Sequence, residues 1–494
     1  MGERVGEAAG RTILWFVNRG FTTADLEAQA GDGAKSWMAT LAREVVKDDR
    51  LTVCSIGEGP GTGSGVGFET GSGKGSGTES GTGSGIGSGT GTGSKTGLED
   101  GAPESEAHGS GGIVTNLYIR PNAWKWRLLL LLFFRPANRM GDLLPQMKAA
   151  VDRVKPDLIH IHGSEGPFIE VASYAQSLGI PVLMSVQGIT SVIRRKYFGS
   201  FDRGQWRGVI RKRGWAERRL VPETVMEAYR EMGFQARREE RCLPQIRNFA
   251  GRTSWDRQVM QQMSPGSRYF HIDRVLKSVF YEHEWRPKEG GKARVVIHTT
   301  MTNSTYKGFE VVAEACRMLA EGGLAVEWRL AGLMADDWSV RAVRRLLRDR
   351  YPAQGLVFLG RCDATGLVDS MVGADLYVQA SHIENSPNSL AEAMLLGMPC
   401  VATLAGGTGT YLEDGKTGLL VQAGDPAGLA GAVLELVRDR EKAERLGAAA
   451  REVASVRHDP KRIKEQLQRA YDAIVADRTD RADIASKANH VTNL

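Results

Sequence analysis

The chain has 494 residues, of which 41% are hydrophobic and 25% charged, and a formal net charge of +6. That length holds two α/β domains and a tail, and so modest a charge does not by itself argue for a nucleic-acid ligand. Five scattered cysteines without a C-x-x-C pair argue against a disulfide framework or a zinc site, and no run reaches the roughly 18 apolar residues of a membrane span.

The first apolar stretch is too short for a signal peptide, so a cytoplasmic protein, soluble or membrane-peripheral, is expected. Thr12 to Val17 reads as a buried strand, followed by a loop to Gly33 and a helix from Ala34 to Val46 with Trp37, Met38, Leu41 and Val45 on one face. Gly31 and Gly33, just ahead of that helix, allow close backbone approach to a ligand. Leu51 to Ile56 is the second strand. Residues 57–112 are a Gly/Ser/Thr repetition with almost no apolar surface, expected to be a flexible, disordered insert in a surface loop. The third strand is Ile113 to Ile119. The run WKWRLLLLLFFR at 124–135 is read as a buried helix in preference to a segment at a membrane interface.

Residues 156–162, PDLIHIH, and 181–188, PVLMSVQG, are strands ending near His162 and Gln187. His160 is assigned to the opposite side of its strand from His162, and to the core. From Arg194 to Arg241 the chain is basic, with Trp206 and Trp215 interleaved. One reading is a surface for anionic lipid headgroups or a lipid-diphosphate acceptor; the other is a solvated helical face laced with Glu217, Glu223, Glu227 and Glu231. Polar residues around 281–291 mark an interdomain linker.

Val295 to Thr299 opens the second domain, and Lys307-Gly308 starts a helix carrying Val311, Val312 and Ala315. Strands follow at Glu327 to Ala331 and Leu356 to Leu359; Asp336 and Asp337 read as helix caps. Asp375 to Ala380 is a buried strand. After a polar loop, Ser381 to Pro387, comes a helix with Asn388 or Ser389 as N-cap, Glu392 in its first turn, and Gly397 at its end. Another strand starts at Val401. Strand, loop, helix and strand in fewer than thirty residues form one unit of a parallel sheet.

Glu384 and Glu392 can both face the crevice beyond the strand's carboxyl end, where open α/β sheets bind ligands. The N–H groups of Asn388, Ser389 and Leu390 would point into the same space. Carboxylates for sugar hydroxyls beside amides for phosphate suggest a sugar nucleotide. The competing reading is a capping glutamate plus a solvated loop glutamate. Beyond Thr403, the segments Gly406-Gly407, Glu413 to Gly415 and Gly418 to Leu420 read as turns. Helices at Pro426 to Asp439, Glu441 to Ala454 and Pro460 to Ala476 finish the chain before a frayed polar tail, 478–494.

The stretch from Glu384 to Thr403, with E-x7-E followed by Glu392-Ala393-Met394, Gly397, Pro399, Val401, Ala402 and Thr403, resembles the donor-binding signature of retaining glycosyltransferases of family 4, or group 1. Cys400 replaces a usual valine. I-H-I-H-G, S-x-Q-G and G-R-T-x-W-D, the last at Gly251 to Asp256, resemble the subgroup of bacterial capsule and exopolysaccharide synthesis. The resemblance implies a GT-B α/β architecture, two doubly wound Rossmann-like domains facing across a cleft. Residues 1–285 would form the acceptor-side domain, 286–292 the linker, 293–458 the nucleotide-sugar domain, 459–476 a helix crossing back, and 477–494 a tail.

The resemblance also implies roles. Lys307, beside Gly308, and the helix start at Asn388, Ser389 and Leu390 would hold the donor diphosphate, Glu392 the ribose and Glu384 the transferred sugar. Gly360 and Arg361 would seat the nucleobase, and Gly31, Gly33, His162 and Gln187 would lie on the acceptor or sugar side. Thr302 stands where relatives often carry a phosphate-binding arginine, and Gln187 where many carry histidine. No metal or cofactor is expected. The implied partners are a nucleotide sugar, a glycan or lipid-linked acceptor and an anionic membrane on the inner face of the cell membrane, with no nucleic acid. Alternatives are a sugar-nucleotide epimerase of similar fold and a non-catalytic sugar-nucleotide-binding protein.

Overall fold

The computed structural model describes residues 10–17, 37–56, 105–109, 112–119, 143–211, 225–288 and 294–491. Gly31, Gly33, Trp215, the run 124–135 and most of the glycine-rich insert lie outside them.

The first sheet contains β1 (Thr12–Val17), β2 (Arg50–Ile56), β3 (Ser105–Gly109), β4 (Gly112–Ile119), β5 (Leu158–His162), β6 (Val182–Ser185), β7 (Asn248–Gly251) and β8 (Arg268–His271). Their spatial order is β3-β4-β2-β1-β5-β6-β7-β8. All neighbours are parallel except β3, which pairs antiparallel with β4 from Ser105↔Asn116 to Gly109↔Gly112. Residues 105–109 and 112, expected within the disordered insert, are therefore strand. The central strand β1 is apolar on both faces because both are covered. Leu14 and Phe16 enter one core with Ile159, Ile161, Met184 and Phe249. Ile13, Trp15 and Val17 enter the other, against Met38, Leu41 and Val45 of the helix Trp37–Val45.

The second sheet contains β9 (Val295–Thr300), β10 (Val326–Ala331), β11 (Leu356–Gly360), β12 (Leu376–Gln379), β13 (Cys400–Leu404) and β14 (Leu419–Gln422). Its order is β11-β10-β9-β12-β13-β14, parallel throughout. Gly418 to Leu420, read from sequence as turn, thus contains the start of an edge strand. Here too alternate residues divide between cores: Ile297, Trp328 and Val378 on one face, Val296, Tyr377 and Ala402 on the other.

The chain does not divide cleanly at residue 285. Tyr197, Phe201, Trp206 and Val225 pack into the second domain's core with Phe309, Val312 and Val340. Trp206 is 1% exposed, its Nε1 donates to the Phe198 carbonyl at 3.0 Å, and its ring meets Trp338 edge-on. It is a core anchor, which corrects its placement on a basic surface. The helix Val225–Cys242 then returns: Val225 is buried in the second domain and Cys242 in the first. Its 18 residues span about 27 Å.

The last helix, Pro460–Val491, crosses back to the first domain, with Ile463, Leu467, Ala470, Tyr471 and Ile474 in the Trp15 core. It continues to Val491, through most of the residues expected to be frayed. Trp15 Nε1 donates to the Tyr471 hydroxyl at 2.9 Å, and that hydroxyl lies 2.8 Å from His160 Nδ1. Among the described residues no helix is long and apolar enough to cross a membrane.

Candidate active site

Three loops meet at the carboxyl ends of β9, β12 and β13. Lys307 ends a 3₁₀ turn after β9, and Gly308 follows in the left-handed region at φ +77°. A Cβ at Gly308 would lie 2.0 Å from the Ala380 carbonyl oxygen, so only glycine lets this backbone rest on the loop after β12. That loop carries Glu384. Lys307 Nζ lies 2.6 Å from Glu384 Oε1, which also accepts from Ser381 Oγ at 2.7 Å. Burial works against the Lys307 charge, but Glu384 and Tyr306 outweigh it and raise its pKa. From the β13 side, Gly407 N–H donates to the Glu384 carbonyl at 2.9 Å and Thr403 Oγ1 to the Ser381 carbonyl at 2.6 Å. Gly406, at φ +57°, makes that approach possible.

The helix Asn388–Leu396 begins one or two residues earlier than the sequence suggests. Pro387 is its N-cap, in extended conformation, and the Ala391 N–H donates to the Pro387 carbonyl at 3.1 Å. Asn388 and Ser389 are thus helical residues and not the cap, and Glu392 lies beyond the first turn. The correction matters chemically, because no side chain caps the leading N–H groups and the positive end of the helix stays open. Glu392 is half-buried on the same helix; burial pushes its pKa up to about 7, opposed by the charges of Lys277 and Arg274.

Across the cleft stand the strand ends of the first domain. His162 closes β5 and Gln187 lies two residues beyond β6. The His160 and His162 rings are stacked at 3.9 Å, because residues two apart on a strand share a face. The expected placement on opposite sides was a parity error. His160 is nevertheless a core residue, bonded to Tyr471 and, through Nε2, to Ser185 Oγ at 2.7 Å. Burial lowers its pKa to about 3. His162 is held well below the ordinary range by burial and by the charges of His160, Arg274 and Arg252. Both imidazoles are neutral at physiological pH.

The Glu384 loop touches this edge directly. Asn385 Nδ2 donates to the Val186 carbonyl at 3.2 Å, and Arg252 Nη1 to Ser386 Oγ at 2.6 Å. Ser254 Oγ lies 3.0 Å from Thr410 Oγ1. The structure therefore brings together Lys307, Gly308, Glu384, Asn388, Ser389, Leu390 and Glu392, opposite His162 and Gln187. Gly360 ends β11 and the exposed Arg361 follows it, three strands from β12 and so about 14 Å along the sheet edge. Thr302 is exposed, its hydroxyl 3.3 Å from Ser304 Oγ.

Sequence reasoning passed over three groups here. Arg252 and Arg274 are buried basic residues at the cleft. The position of Arg252, directly after a buried strand and before a capping box, was the available signal. Glu310 accepts from the Ser200 N–H at 2.9 Å and lies 2.7 Å from His382 Nε2, tying the Tyr197–Trp206 segment to the second domain. Among the described residues no three His, Cys, Asp or Glu side chains gather to hold a metal.

Residues 292–439 match the family described as Glycosyl transferases group 1. The chain is 26% identical over 184 residues to N-acetyl-alpha-D-glucosaminyl L-malate synthase of Bacillus anthracis, covering 37% of this chain and 46% of the relative. It is 31% identical over 169 residues to the putative colanic acid biosynthesis glycosyltransferase WcaL of Salmonella typhimurium, covering 33% and 41%. The chain thus spans less than half the length of these curated relatives. Its structure resembles sucrose-phosphate synthase of Thermosynechococcus elongatus with a TM-score of 0.61, at 15% identity, over 94% of this chain and 99% of the other. The shared architecture is GT-B: two doubly wound α/β domains around a cleft.

Proposed function

We propose that this chain is a group 1 glycosyltransferase that moves a glycosyl unit from a nucleotide-diphosphate sugar to a hydroxyl acceptor, with retained anomeric configuration. One observation carries the reading: the Lys307–Glu384 pair at the open end of the Asn388–Leu396 helix, inside the segment that matches the family.

In the reaction the bond between the anomeric carbon and the diphosphate oxygen breaks, and negative charge grows on the departing phosphate. Lys307 and the N–H groups of Asn388, Ser389 and Leu390 are aimed to stabilise that charge. The acceptor hydroxyl attacks the anomeric carbon from the face the diphosphate leaves, and its proton passes to a diphosphate oxygen. Atoms and charge balance without an enzymic nucleophile, metal or cofactor. Glu384, released from Lys307 as that lysine turns to the phosphate, accepts hydroxyls of the transferred sugar; Glu392 accepts from the ribose. Gly360 and Arg361 seat the base, while His162 and Gln187 face the sugar or acceptor.

The acceptor is a glycan or a lipid-linked saccharide of cell-surface polysaccharide or glycolipid synthesis, in keeping with the colanic acid relative. The enzyme works in the cytoplasm, at the anionic inner face of the membrane. Incubation with a panel of UDP-, GDP- and ADP-sugars and a hydroxyl acceptor tests this. Release of nucleoside diphosphate with a product of the donor's anomeric configuration is expected. An altered sugar nucleotide would make the protein an epimerase, and binding without turnover a sensor; an inverted product removes the mechanism.

A further inference from the structure

Arg252 follows β7 and precedes the helix Ser254–Met263, which closes on its own capping box. Thr253 Oγ1 accepts from the Asp256 N–H at 3.0 Å, while Asp256 accepts from the backbone N–H groups of Arg252 and Thr253 at 3.1 and 3.2 Å. The Asp256 carboxylate is thus committed to the backbone and to the Tyr269 hydroxyl. The Arg252 side chain instead crosses to the second domain, where Nη1 donates to Ser386 Oγ at 2.6 Å. Arg252 is only 4% exposed, and no carboxylate pairs with it among the described residues. Arg274, 9% exposed, lies near enough that the Arg252 charge adds to burial in lowering its pKa.

A guanidinium does not shed its proton at any working pH. Holding one buried without a carboxylate is costly unless an anion meets it when the protein works. The position of that anion is marked from the other side. Ser386 lies two residues ahead of the Asn388–Leu396 helix, whose leading N–H groups have no side-chain cap. Guanidinium and helix N-terminus therefore converge from different domains.

We propose that Arg252, carried by the first domain, binds the diphosphate of a nucleotide donor seated on the second. This rests on the sugar-nucleotide reading of the site. The guanidinium fork and the N–H groups of Asn388, Ser389 and Leu390 grip phosphoryl oxygens together. Before the donor arrives, the Ser386 hydroxyl holds the guanidinium in place. A diphosphate engages both domains, whereas a nucleoside reaches neither group.

The test is calorimetric titration of the full chain with UDP, GDP and ADP, and with the matching nucleosides. Loss of charge-assisted hydrogen bonds should weaken diphosphate binding by roughly 10–100-fold in Arg252→Gln and leave nucleoside binding unchanged. If Arg252→Gln binds the diphosphate as tightly as the parent, the proposal fails while the donor-site reading stands. If the parent chain binds none of the three diphosphates, both fall. Should Arg252→Gln lose its cooperative thermal transition, Arg252→Lys decides. It keeps the charge but not the fork, so diphosphate binding several-fold weaker than the parent supports the proposal, and equal binding overturns it.

Discussion

Replacing Lys307 by alanine perturbs the protein in two separable ways. In the unliganded state it strips Glu384 of its cation, leaving a carboxylate bonded only to Ser381 Oγ. Breaking a buried ion pair by removing one partner costs about 3–5 kcal/mol. The two side chains are 22% and 11% exposed, so solvent screening lowers the expectation to about 2–3 kcal/mol. If the cost comes from the stranded charge, Lys307→Ala/Glu384→Gln should recover most of it. During turnover the same deletion withdraws a cation from the leaving diphosphate, a loss of about 10²–10³ in kcat. The second substitution supplies no positive charge and should not restore that loss.

Stability and turnover must therefore part company across the parent, Lys307→Ala, Glu384→Gln and the double variant, measured by urea unfolding and by donor turnover. A double variant as unstable as the single removes the stranded-charge account. Near-normal kcat in Lys307→Ala removes the assignment of the phosphate site, most clearly if Arg361 proves essential. Thr302→Arg, on the same loop and exposed, should leave the fold intact and partly rescue Lys307→Ala.

The Glu392 carboxyl has a folded pKa of about 7 against an ordinary 4.5, so the folded protein holds the proton more tightly than the unfolded chain. Its contribution to stability is fully present below about pH 4.5 and is lost as pH rises through about 7, by at most about 3 kcal/mol. Relative to Glu392→Gln, the parent should thus lose stability between pH 5 and 8 while its donor KM falls as the carboxylate forms; parallel unfolding curves and a common KM profile would contradict this. Replacing residues 57–104 by a short turn should preserve folding and turnover, since each doubling of loop length costs only about 0.6 kcal/mol. Extending the deletion through residue 112 removes β3, and should lower the melting temperature; an inactive but folded 57–104 deletion defeats the expectation. The basic segment 194–241 should bind anionic vesicles at low salt and release them at 0.15 M, where the Debye length is about 8 Å. Trp206→Ala should cost about 3–5 kcal/mol of stability through its core position, with vesicle binding unchanged in the folded fraction.

What the sequence made legible was local. The apolar run Thr12 to Val17 can be nothing but a strand buried on both faces, and the unit from Leu376 to Leu404 announces itself by its apolar strands, its helical spacing and Gly397. Errors arose where a local rule was misapplied or a tertiary contact decided the outcome. His160 and His162 share a face by the period of the strand itself. Asn388 looks like a cap, but the Ala391–Pro387 hydrogen bond puts it inside the helix. Trp206 sits among arginines in the sequence and among apolar side chains in the fold. Nothing in periodicity could join Arg252 to Ser386, 134 residues apart, because their meeting depends on how two separately folded sheets are docked.

That docking is uneven, and the unevenness bears on how the cleft works. On one side the Tyr197–Trp206 segment is sunk in the second domain's core, and the helix Val225–Cys242 runs from one core to the other. Withdrawing Trp206 alone would cost several kcal/mol, so this side stays fastened. At the strand ends the domains meet through polar bonds, Arg252 to Ser386, Asn385 to Val186 and Ser254 to Thr410. The neutral bonds are worth about 0.5–1.5 kcal/mol each and the Arg252 bond about 1.5–3 kcal/mol, and water can replace each once the cleft opens. Parting the strand ends is therefore far easier than unseating the fastened segment, and any opening pivots on the latter. A diphosphate held by Lys307 and the helix N-terminus on one side and by Arg252 on the other would add its charge-assisted bonds to the closed arrangement alone. Donor binding and closure are then one equilibrium, in which the residue from the first domain sets how strongly the two are coupled.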